Sequence, residues 1–476
     1  MRLITNNAYK NVNENPCSMC MPMGGILPYK GIEGAMVLLH GSQGCSTYMR
    51  RHMAEHFNEP IDVGSSSLNE KGTVYGGEKN LKLGLMNLIK VYQPKLIGVL
   101  TTCLAETIGE DVERICSEFA RENPHISTTL VAGSTPGYGG THFEGYFATL
   151  TSIVKSVVKP VTKPVARLAV DPAIQQIVES ADRDRRINLI VPNISPADIR
   201  ELKRILDSIG VIYTVFPDIS ETLDRPYEKT YTKIATGGTK LEDIQNMSGA
   251  AATIQFGVTV DRAMSPGAYL EEQFGIKLHN LPIPTGIEAT DGFLDAVGEI
   301  TGLEIPKSII NERGRLLDGM IDSHKYNAEG RAVVFGEPEQ VLAVTRLCIE
   351  NGIAPNVIAT GSKTDTLASL LEADLRKMNY ESRIIQETDF SNVRKHCLEA
   401  NVNLAIGHSD GRYLTEKAGI PLVRHGFPIH DRVGGQRLLS VGYTGTMMML
   451  DRITNTLLER KLSQYRDTMF ETYFAN

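Results

Sequence analysis

A buried strand, a tight turn and an amphipathic helix follow one another at three widely separated places in this chain. The first place reads KLIGVLTTCLAETIGEDVERICSEFA, where residues 96–100 form an apolar run, residues 101–103 a turn, and the rest a helix with acidic first turns. The same order returns in INLIVPNISPADIRELKRILDSIGVIYTVF and in RAVVFGEPEQVLAVTRLCIENGIAPNVIAT. Strands that alternate with helices predict parallel sheets joined by right-handed crossovers. The predicted fold class is therefore α/β, with three doubly wound, Rossmann-like domains.

The length of the chain sets the number of domains, because 476 residues are too many for one compact core. We predict an N-terminal α/β domain at residues 1–165, a second Rossmann-like domain at 166–305, and a third, which ends in the C-terminal helix, at 306–476. Pro160 and Pro164 interrupt helix continuation near the first boundary. In doubly wound sheets functional groups gather at the carboxyl ends of strands, so the turns that follow strands are the first places to look for a site.

Charge and hydropathy exclude several classes of partner. The formal net charge is -7 at pH 7, which argues against nucleic-acid binding, because phosphate recognition needs a basic surface. No run of eighteen apolar residues offers a membrane span. The first residues, MRLITNNAYKNVNENPC, lack the apolar core of an export signal. We therefore expect a cytoplasmic protein that binds neither nucleic acid nor membranes.

The cysteines are unevenly distributed, and in a cytoplasmic chain they are expected to be free thiols or metal ligands rather than disulfides. Cys20, Cys45 and Cys103 each lie in a turn beside glycine, proline or threonine. Helices are predicted to start near the last two, where free backbone amides stabilise a thiolate. Thiolates held on backbone loops are the ligands that an iron-sulfur cluster requires. The alternative is that all three cysteines pack as small apolar side chains.

Other groups near these cysteines also qualify as ligands. Cys17 and Cys20 form a Cys-x-x-Cys pair, which is typical of half a zinc site or of a redox pair, but the sequence offers no clear second pair of zinc ligands. His40, His52 and His56 are candidate ligands or proton carriers, and ordinary surface or core positions are the alternative. No glycine-bearing turn carries the Lys-Ser/Thr of a P-loop, so no nucleotide site is expected.

Four of these motifs occur in the order and at the approximate intervals of a known family. They are NPCSMCMPMGG, LLHGSQGCSTYMRRHMAEHFNEP, LTTCLAETIGEDV and STPGYGGTHFEGY. Together they resemble the N-terminal domain of the nitrogenase component 1 β-subunit family, which includes the β subunit of the nitrogenase molybdenum-iron protein. Later segments, among them LPIPTGIEATDGFL, NLAIGHSDGRYL and PLVRHGFPIHDRVGGQRLLSVGYTG, resemble the later domains of that family. The resemblance covers nearly the whole chain.

The resemblance implies a metal site. In that family three cysteines of the β subunit ligate half of the P-cluster, an 8Fe-7S iron-sulfur cluster shared with a homologous α subunit. By motif, Cys20 in CMPMGG, Cys45 in GSQGC and Cys103 in TTCLAE match these ligands. Cys17, an extra thiol beside the first motif, is a possible additional ligand.

One position departs from the family pattern. The P-cluster of the family can gain a serine oxygen ligand on oxidation, from the loop that here reads TPGYGG, and this chain has Gly137 at the matching position. The serine-dependent redox change is therefore not expected in its usual form. Ser134, Thr135 and Cys17 are the candidates for a replacement ligand.

The resemblance also implies a division of labour between subunits. A separate, ATP-dependent iron protein would dock on an α2β2 heterotetramer, and the P-cluster would relay its electrons singly. An iron-sulfur active-site cofactor in the α-type partner would then reduce the substrate. The β-type subunit would carry no catalytic residue of its own, which agrees with the missing nucleotide motif.

The branch of the family decides the substrate. Assembly scaffolds that resemble the β subunit usually lack the TTC cysteine, so Cys103 favours an electron-relaying subunit. The short segment before Cys20, the CSMCMPMGG motif and the TPG loop are most similar to the methylthio-alkane reductase β subunit, which supports carbon-sulfur bond cleavage in volatile thioethers. The alternatives are a nitrogenase proper, which reduces dinitrogen, a cofactor-assembly scaffold, and a doubly wound enzyme without metal.

Overall fold

Three parallel β-sheets organise the chain. The computed structural model describes residues 2–5, 15, 17–160 and 184–474. Its strands are β1 (Arg2–Thr5), β2 (Ala35–His40), β3 (Gly64–Ser65), β4 (Leu96–Thr101), β5 (Thr129–Gly133), β6 (Asp184–Ile190), β7 (Tyr213–Phe216), β8 (Ala250–Phe256), β9 (Lys277–Leu281), β10 (Arg331–Gly336), β11 (Ala354–Thr360), β12 (Arg383–Gln386), β13 (Leu404–Gly407) and β14 (Leu422–Arg424).

Helices connect these strands. They are α1 (Met21–Lys30), α2 (Gln43–Phe57), α3 (Glu70–Tyr75), α4 (Glu78–Tyr92), α5 (Cys103–Thr107), α6 (Val112–Glu122), α7 (His142–Val157), α8 (Pro196–Ile209), α9 (Leu241–Gln245), α10 (Pro266–Phe274), α11 (Ile287–Thr301), α12 (Lys307–Asn327), α13 (Pro338–Glu350), α14 (Leu367–Lys377), α15 (Phe390–Glu399), α16 (Arg412–Ala418) and α17 (Gly442–Tyr473). Short 3-10 turns lie at Met247–Gly249, Arg262–Met264, Ser409–Gly411 and Gly435–Arg437.

The strand orders are those of doubly wound sheets. They are β3-β2-β4-β5 in the first sheet, β7-β6-β8-β9 in the second and β1-β12-β11-β10-β13-β14 in the third, and neighbouring strands run parallel. Within each sheet an inner strand, β2, β6 or β10, is followed in the chain by strands on both of its sides. This arrangement creates a crevice at the carboxyl end of that strand, where doubly wound proteins bind ligands. The predicted α/β fold with parallel sheets is confirmed.

Local sequence explains where the helices begin and end. Ser195 caps α8 by accepting a hydrogen bond from the backbone N–H of Asp198 at 2.9 Å, and Pro196 occupies the first helical position, where no N–H is needed. Gly210 ends the helix with a φ of 84°, in the left-handed region that glycine adopts without strain. Pro338 likewise occupies the first position of α13.

The core of the first sheet fixes the strands that carry the cysteine loops. Every residue of β2 and β4 is buried. Helices α4 and α6 pack on this sheet through one apolar face each, and the resulting cluster is formed by Met36, Leu38, Leu81, Leu85, Leu88, Ile97, Val99, Val112, Ile115, Cys116 and Phe119. Burial of a side chain of this size stabilises the fold by about 1.5–3 kcal/mol, so the ends of β2 and β4 are held firmly.

The chain separates into two compact units. One comprises Met1–Ser18, Pro282–Leu294 and Ile305–Asn476 and contains the third sheet, and the other comprises Met19–Leu281 and Asp295–Glu304 and contains the first two sheets. Strand β1 pairs with β12, so the first residues do not belong to the sheet of the predicted domain 1–165. The edge of β12 offers unpaired backbone groups, and β1 satisfies them. The predicted boundary between residues 165 and 166 lies outside the described residues, and the three-domain division stays a prediction.

The length and hydropathy of the helices determine whether they could span a membrane. Over residues 2–5, 15, 17–160 and 184–474, no helix is both long and apolar enough to cross a membrane.

Candidate functional site

Three cysteines lie where helices begin in the unit built from Met19–Leu281 and Asp295–Glu304. Cys20 immediately precedes α1, Cys45 lies in the first turn of α2, and Cys103 is the first residue of α5, directly after β4. The last two positions follow strands β2 and β4, which are neighbours in the first sheet. The carboxyl edge of that sheet therefore brings together loops that are far apart in the sequence.

Two of the sulfur atoms converge on Gly137. The backbone N–H of Gly137 donates a hydrogen bond to the Sγ of Cys103 at 3.1 Å. A methyl group placed on the Cα of Gly137 would lie 2.6 Å from the Sγ of Cys20 and 3.2 Å from the Sγ of Cys103. Glycine is required here because the two thiols occupy the space that any side chain would take.

The third sulfur belongs to the same group of thiols. Desolvation by the surrounding loops, together with the charges of Cys103 and Cys45, raises the pKa of Cys20 to about 11. The hydroxyl of Ser42 donates to the Sγ of Cys45 at 3.6 Å, a distance suited to a sulfur acceptor. The neighbouring thiols disfavour ionisation of Cys20, so a positive charge, as bound metal ions supply, would stabilise its thiolate.

Two glycines set the position of the Cys20 loop. A methyl group on Gly24 of α1 would lie 1.7 Å from the backbone oxygen of His142, and one on Gly145 of α7 would lie 2.1 Å from the backbone oxygen of Met21. The two helices therefore approach to backbone contact. The Nδ1 of His142 also accepts a hydrogen bond from the N–H of Met19 at 3.0 Å. These contacts fix the residues on both sides of Cys20.

A second close contact joins the other two cysteine loops. Thr102, next to Cys103, donates from its N–H to the backbone oxygen of His40 at 3.0 Å and from its Oγ1 to the same oxygen at 3.3 Å. A methyl group on Gly41 would lie 1.8 Å from the Oγ1 of Thr102. The loop that leads from His40 to Cys45 is thereby held against the start of α5.

The hydroxyls considered as substitutes for the missing serine have other partners. Thr135 is buried and its Oγ1 donates to the backbone oxygen of Thr101 at 2.8 Å, while the Oγ of Ser134 donates to the carboxylate of Glu106. Glu106 also accepts from the Oγ1 of Thr101 at 2.6 Å. These bonds anchor the start of the TPGYGG loop, and Gly137 is its residue that meets the sulfur atoms.

Cys17 has surroundings of a different kind. It is 1 % exposed and packs in the apolar core of the third sheet beside Val333, Phe335 and Phe390. Burial raises its pKa strongly, and the carboxylates of Asp410 and Asp389 add to this effect. A neutral thiol among apolar side chains favours the packing interpretation of Cys17 over its role as a ligand.

The remaining cysteines are buried as well. Burial raises their pKa values to about 12, and they are Cys116, Cys348 and Cys397. Thiols of this kind pack as small apolar groups and do not react. Cys20, Cys45 and Cys103 are thus distinguished from the other four cysteines by being at least partly accessible.

The three candidate histidines lie in unlike places. His40 is fully buried between Ser66 and Glu110, whereas His52 lies on the surface with its Nδ1 3.9 Å from the carboxylate of Glu55. His56 is buried, and its ring packs edge-on against Phe57 at a centroid distance of 4.4 Å. The contacts of His40 could not be predicted from the sequence, because Ser66 and Glu110 lie on loops whose proximity depends on the strand order.

The arrangement suits several metal ions better than one. Within the described ranges, no group of three or more His, Cys, Asp or Glu side chains converges closely enough to hold a single ion. An iron-sulfur cluster is held by several cysteine thiolates from separate positions of the backbone. Three separate thiols on three rigid loops fit that requirement.

The segments that carry the thiols and the TPGYGG loop also expose aromatic side chains. Cys20 and Cys103 are exposed, and Tyr48 on α2 and Tyr138 in the TPGYGG loop expose 62 % and 67 % of their surfaces. Aromatic side chains beside exposed thiols are typical of a surface that another protein covers.

The sequence of the chain is similar to a known family and to several of its members. The profile of the family described as "Nitrogenase component 1 type Oxidoreductase" matches residues 20–458. The nitrogenase molybdenum-iron protein beta chain of Clostridium pasteurianum is 32% identical over 465 residues, which cover 97% of each chain. The nitrogenase vanadium-iron protein beta chain of Trichormus variabilis is 31% identical and covers 93% of each.

Comparison with solved structures gives the same assignment. A chain of nitrogenase Cp1, solved at pH 6.5, superposes with a TM-score of 0.87 and 31% sequence identity, over 95% of both chains. A chain of Cp1 solved at pH 5 superposes with a TM-score of 0.65 at 16% identity, a likeness of fold alone. The expected resemblance to the β subunits is confirmed along nearly the full length of the chain.

Proposed function

The chain belongs to the nitrogenase component 1 type oxidoreductases, as a β-type subunit, and we propose that it binds half of an iron-sulfur cluster through Cys20, Cys45 and Cys103. The single observation that carries this proposal is the convergence of the thiols. The Sγ atoms of Cys20 and Cys103 occupy the space that a side chain at Gly137 would take, and Cys45 is near enough to raise the pKa of Cys20. Soft thiolate sulfur is the ligand that iron-sulfur clusters require.

The other half of the cluster belongs to an α-type partner. Cys20 and Cys103 are exposed on this chain, so metal held there lies at the surface and remains open on one side. Tyr48 and Tyr138 add exposed apolar area beside it, as expected of a surface that a partner covers. An α2β2 heterotetramer completes two such sites.

The cluster is of the P-cluster type, and its chemistry is the transfer of single electrons. Held by Cys20, Cys45 and Cys103, it would supply one-electron transfer between an ATP-dependent iron protein and an iron-sulfur active-site cofactor in the α-type partner. The residues of this chain bind and shield the cluster. The N–H of Gly137 and the hydroxyl of Ser42 donate to sulfur, which reduces the charge on the thiolates. No catalytic residue is assigned to this subunit.

Two reactions are candidates for the complete enzyme. The CSMCMPMGG motif and the TPG loop favour the methylthio-alkane reductase branch, which cleaves carbon-sulfur bonds in volatile thioethers. The relatives named above are nitrogenase beta chains, which favours dinitrogen reduction equally. A cofactor-assembly scaffold is a third candidate, and Cys103 speaks against it.

One turnover experiment separates these candidates. The chain is copurified anaerobically with its α-type partner and supplied with iron protein, ATP and dithionite, and methanethiol and ammonia are assayed side by side from a thioether and from dinitrogen. Methanethiol without ammonia establishes the carbon-sulfur reductase, whereas ammonia establishes a nitrogenase. Iron without either product, followed by loss of that iron to an acceptor protein, supports the scaffold, and a preparation without iron refutes the cluster proposal.

A further inference from the structure

His40, the last residue of β2, lies completely buried between a hydroxyl and a carboxylate. Its Nδ1 is 2.9 Å from the Oγ of Ser66, within hydrogen-bond distance. Its Nε2 is 3.6 Å from the Oε2 of Glu110 and makes no hydrogen bond to any described residue. One ring nitrogen of this histidine therefore faces a carboxylate across a gap that is slightly too long for a hydrogen bond.

The surrounding residues hold the side chains of His40 and Glu110 close together and shield them from solvent. The backbone N–H of Gly77 donates to Glu110, whose side chain is only 9% exposed. A methyl group on Gly77 would lie 2.9 Å from the Cε1 of His40, so the glycine permits the loop to close over the ring. Among the described residues, Glu110 is the charged group that acts on His40, since Ser66, Gly77 and Thr102 carry no charge.

The two neighbours of the ring accommodate an imidazolium as well as a neutral imidazole. Neutral histidine has one proton for two ring nitrogens, whereas the protonated form donates from both. The Oγ of Ser66 and the carboxylate of Glu110 offer one acceptor for each nitrogen. Desolvation lowers the pKa of His40, and Glu110 opposes that effect. The ring of His40 is consequently neutral before reduction, and each ring nitrogen already has an acceptor for a proton.

His40 also belongs to the framework of the cysteine site. Its backbone oxygen accepts both hydrogen bonds of Thr102, the residue before Cys103, and its chain continues through Gly41 towards Cys45. An electron added to a metal group held by these loops places negative charge near His40, inside a low-dielectric region. Negative charge near a base favours the protonated form of that base.

We propose that His40, together with Glu110, accepts a proton when the group held by Cys20, Cys45 and Cys103 is reduced. The inference rests on the proposed function of those cysteines. The iron protein supplies one electron, which reduces the iron-sulfur group, and solvent supplies one proton, which converts the imidazole of His40 to imidazolium. Reoxidation passes the electron on to the partner's cofactor and releases the proton to solvent, so charge and protons balance.

The test measures the midpoint potential of the cluster against pH, in the complex copurified with the α-type partner, across the range in which histidine ordinarily titrates. In the wild type the potential falls as pH rises, because reduction takes up a proton. His40→Gln keeps a hydrogen-bonding side chain but cannot become a cation, and we expect normal iron content and cluster spectrum with the pH dependence lost. His125→Gln, which alters an exposed histidine, keeps the wild-type slope.

A second variant covers the case in which His40→Gln fails to assemble. Glu110→Gln can still accept from Gly77 but no longer attracts the proton, so the pH dependence moves to lower pH. A wild-type potential independent of pH, an unchanged slope in an intact His40→Gln cluster, or an unmoved curve in Glu110→Gln overturns the inference. A wild-type complex without iron refutes the proposed function instead, and the two failures are thereby distinguished.

Discussion

The backbone N–H of Gly137 donates a hydrogen bond to the sulfur of Cys103 at 3.1 Å, while the sulfur of Cys20 occupies the space that a side chain on the same glycine would take. One residue without a side chain thus contacts two of the three proposed ligands. In members of the family with serine at this place, the side chain supplies an oxygen ligand. In this chain the backbone supplies a hydrogen bond instead.

Gly137→Ala tests how tightly this loop is fitted to the thiols. The new methyl group would lie 2.6 Å from one sulfur and 3.2 Å from another, so the loop or the thiols must shift. We expect most of the bound iron to be lost, as measured by iron analysis of the anaerobically purified complex. Gly44→Ala is the matched control, because it lies beside Cys45 with only Ser42 near its new methyl group, at 3.9 Å. Full iron content in Gly137→Ala would contradict the proposed close fit between the TPGYGG loop and the thiols.

Removal of a proposed ligand is a more direct test. Cys45→Ala and Cys103→Ala each leave one iron atom without its thiolate, and we expect the cluster signal in electron paramagnetic resonance and the electron transfer to be lost. Cys116→Ala removes a buried thiol from the same unit and should retain both, at a cost of about 1 kcal/mol in stability. A variant of either proposed ligand that keeps wild-type iron and activity removes that residue from the ligand set.

The raised pKa of Cys20 predicts its reactivity in the iron-free chain. Desolvation and the charges of Cys103 and Cys45 disfavour the thiolate, which is the nucleophile, until the pH approaches about 11. The rate of alkylation at Cys20, followed by peptide mass spectrometry, should therefore keep rising above the ordinary thiol value of 9.0. Cys45→Ala removes one of the opposing charges, so the plateau should move to lower pH. A wild-type plateau already reached at 9.0 would be inconsistent with this environment.

The contact between α1 and α7 predicts a large effect on stability. A methyl group on Gly24 would overlap the backbone oxygen of His142, and backbone cannot rotate away as a flexible side chain does. We expect Gly24→Ala to destabilise the fold by about 3 kcal/mol or more, measured as a fall in the thermal unfolding midpoint. Gly298→Ala is the control, since its nearest neighbour is 3.8 Å away, and a helical alanine there should be neutral or stabilising. Equal midpoints for the two variants would refute the close approach.

The sequence predicted the sheets because strands and helices leave a local pattern. Residues 96–100 were predicted as a strand and form most of β4, and Pro196 and Gly210 bound α8 as their conformational preferences require. The pairing of β1 with β12 was not predictable, because no local pattern connects segments at opposite ends of the chain. Residues 2–5, which fall within the predicted domain 1–165, therefore pair with the third sheet.

The candidate site shows the same limit. The motifs singled out Cys20, Cys45 and Cys103, but whether their sulfur atoms meet depends on the order of β2 and β4 and on the TPGYGG loop. Asp111 was predicted to lie in an acidic first turn, and it does cap α6 by accepting from the N–H of Arg114 at 3.0 Å. The place of Glu110 beside His40 followed from no pattern, since it arises where three separate loops meet.

The exposure of Cys20 and Cys103 has a consequence for how the enzyme is built in the cell. A folded chain that waits without iron or partner presents two thiols side by side to any oxidant, and oxidation to sulfenic acid or to a disulfide blocks the ligands. Metal insertion and subunit docking must therefore compete with oxidative damage. The newly synthesised subunit is therefore most vulnerable before it binds metal and its partner, while Cys20 and Cys103 are still exposed.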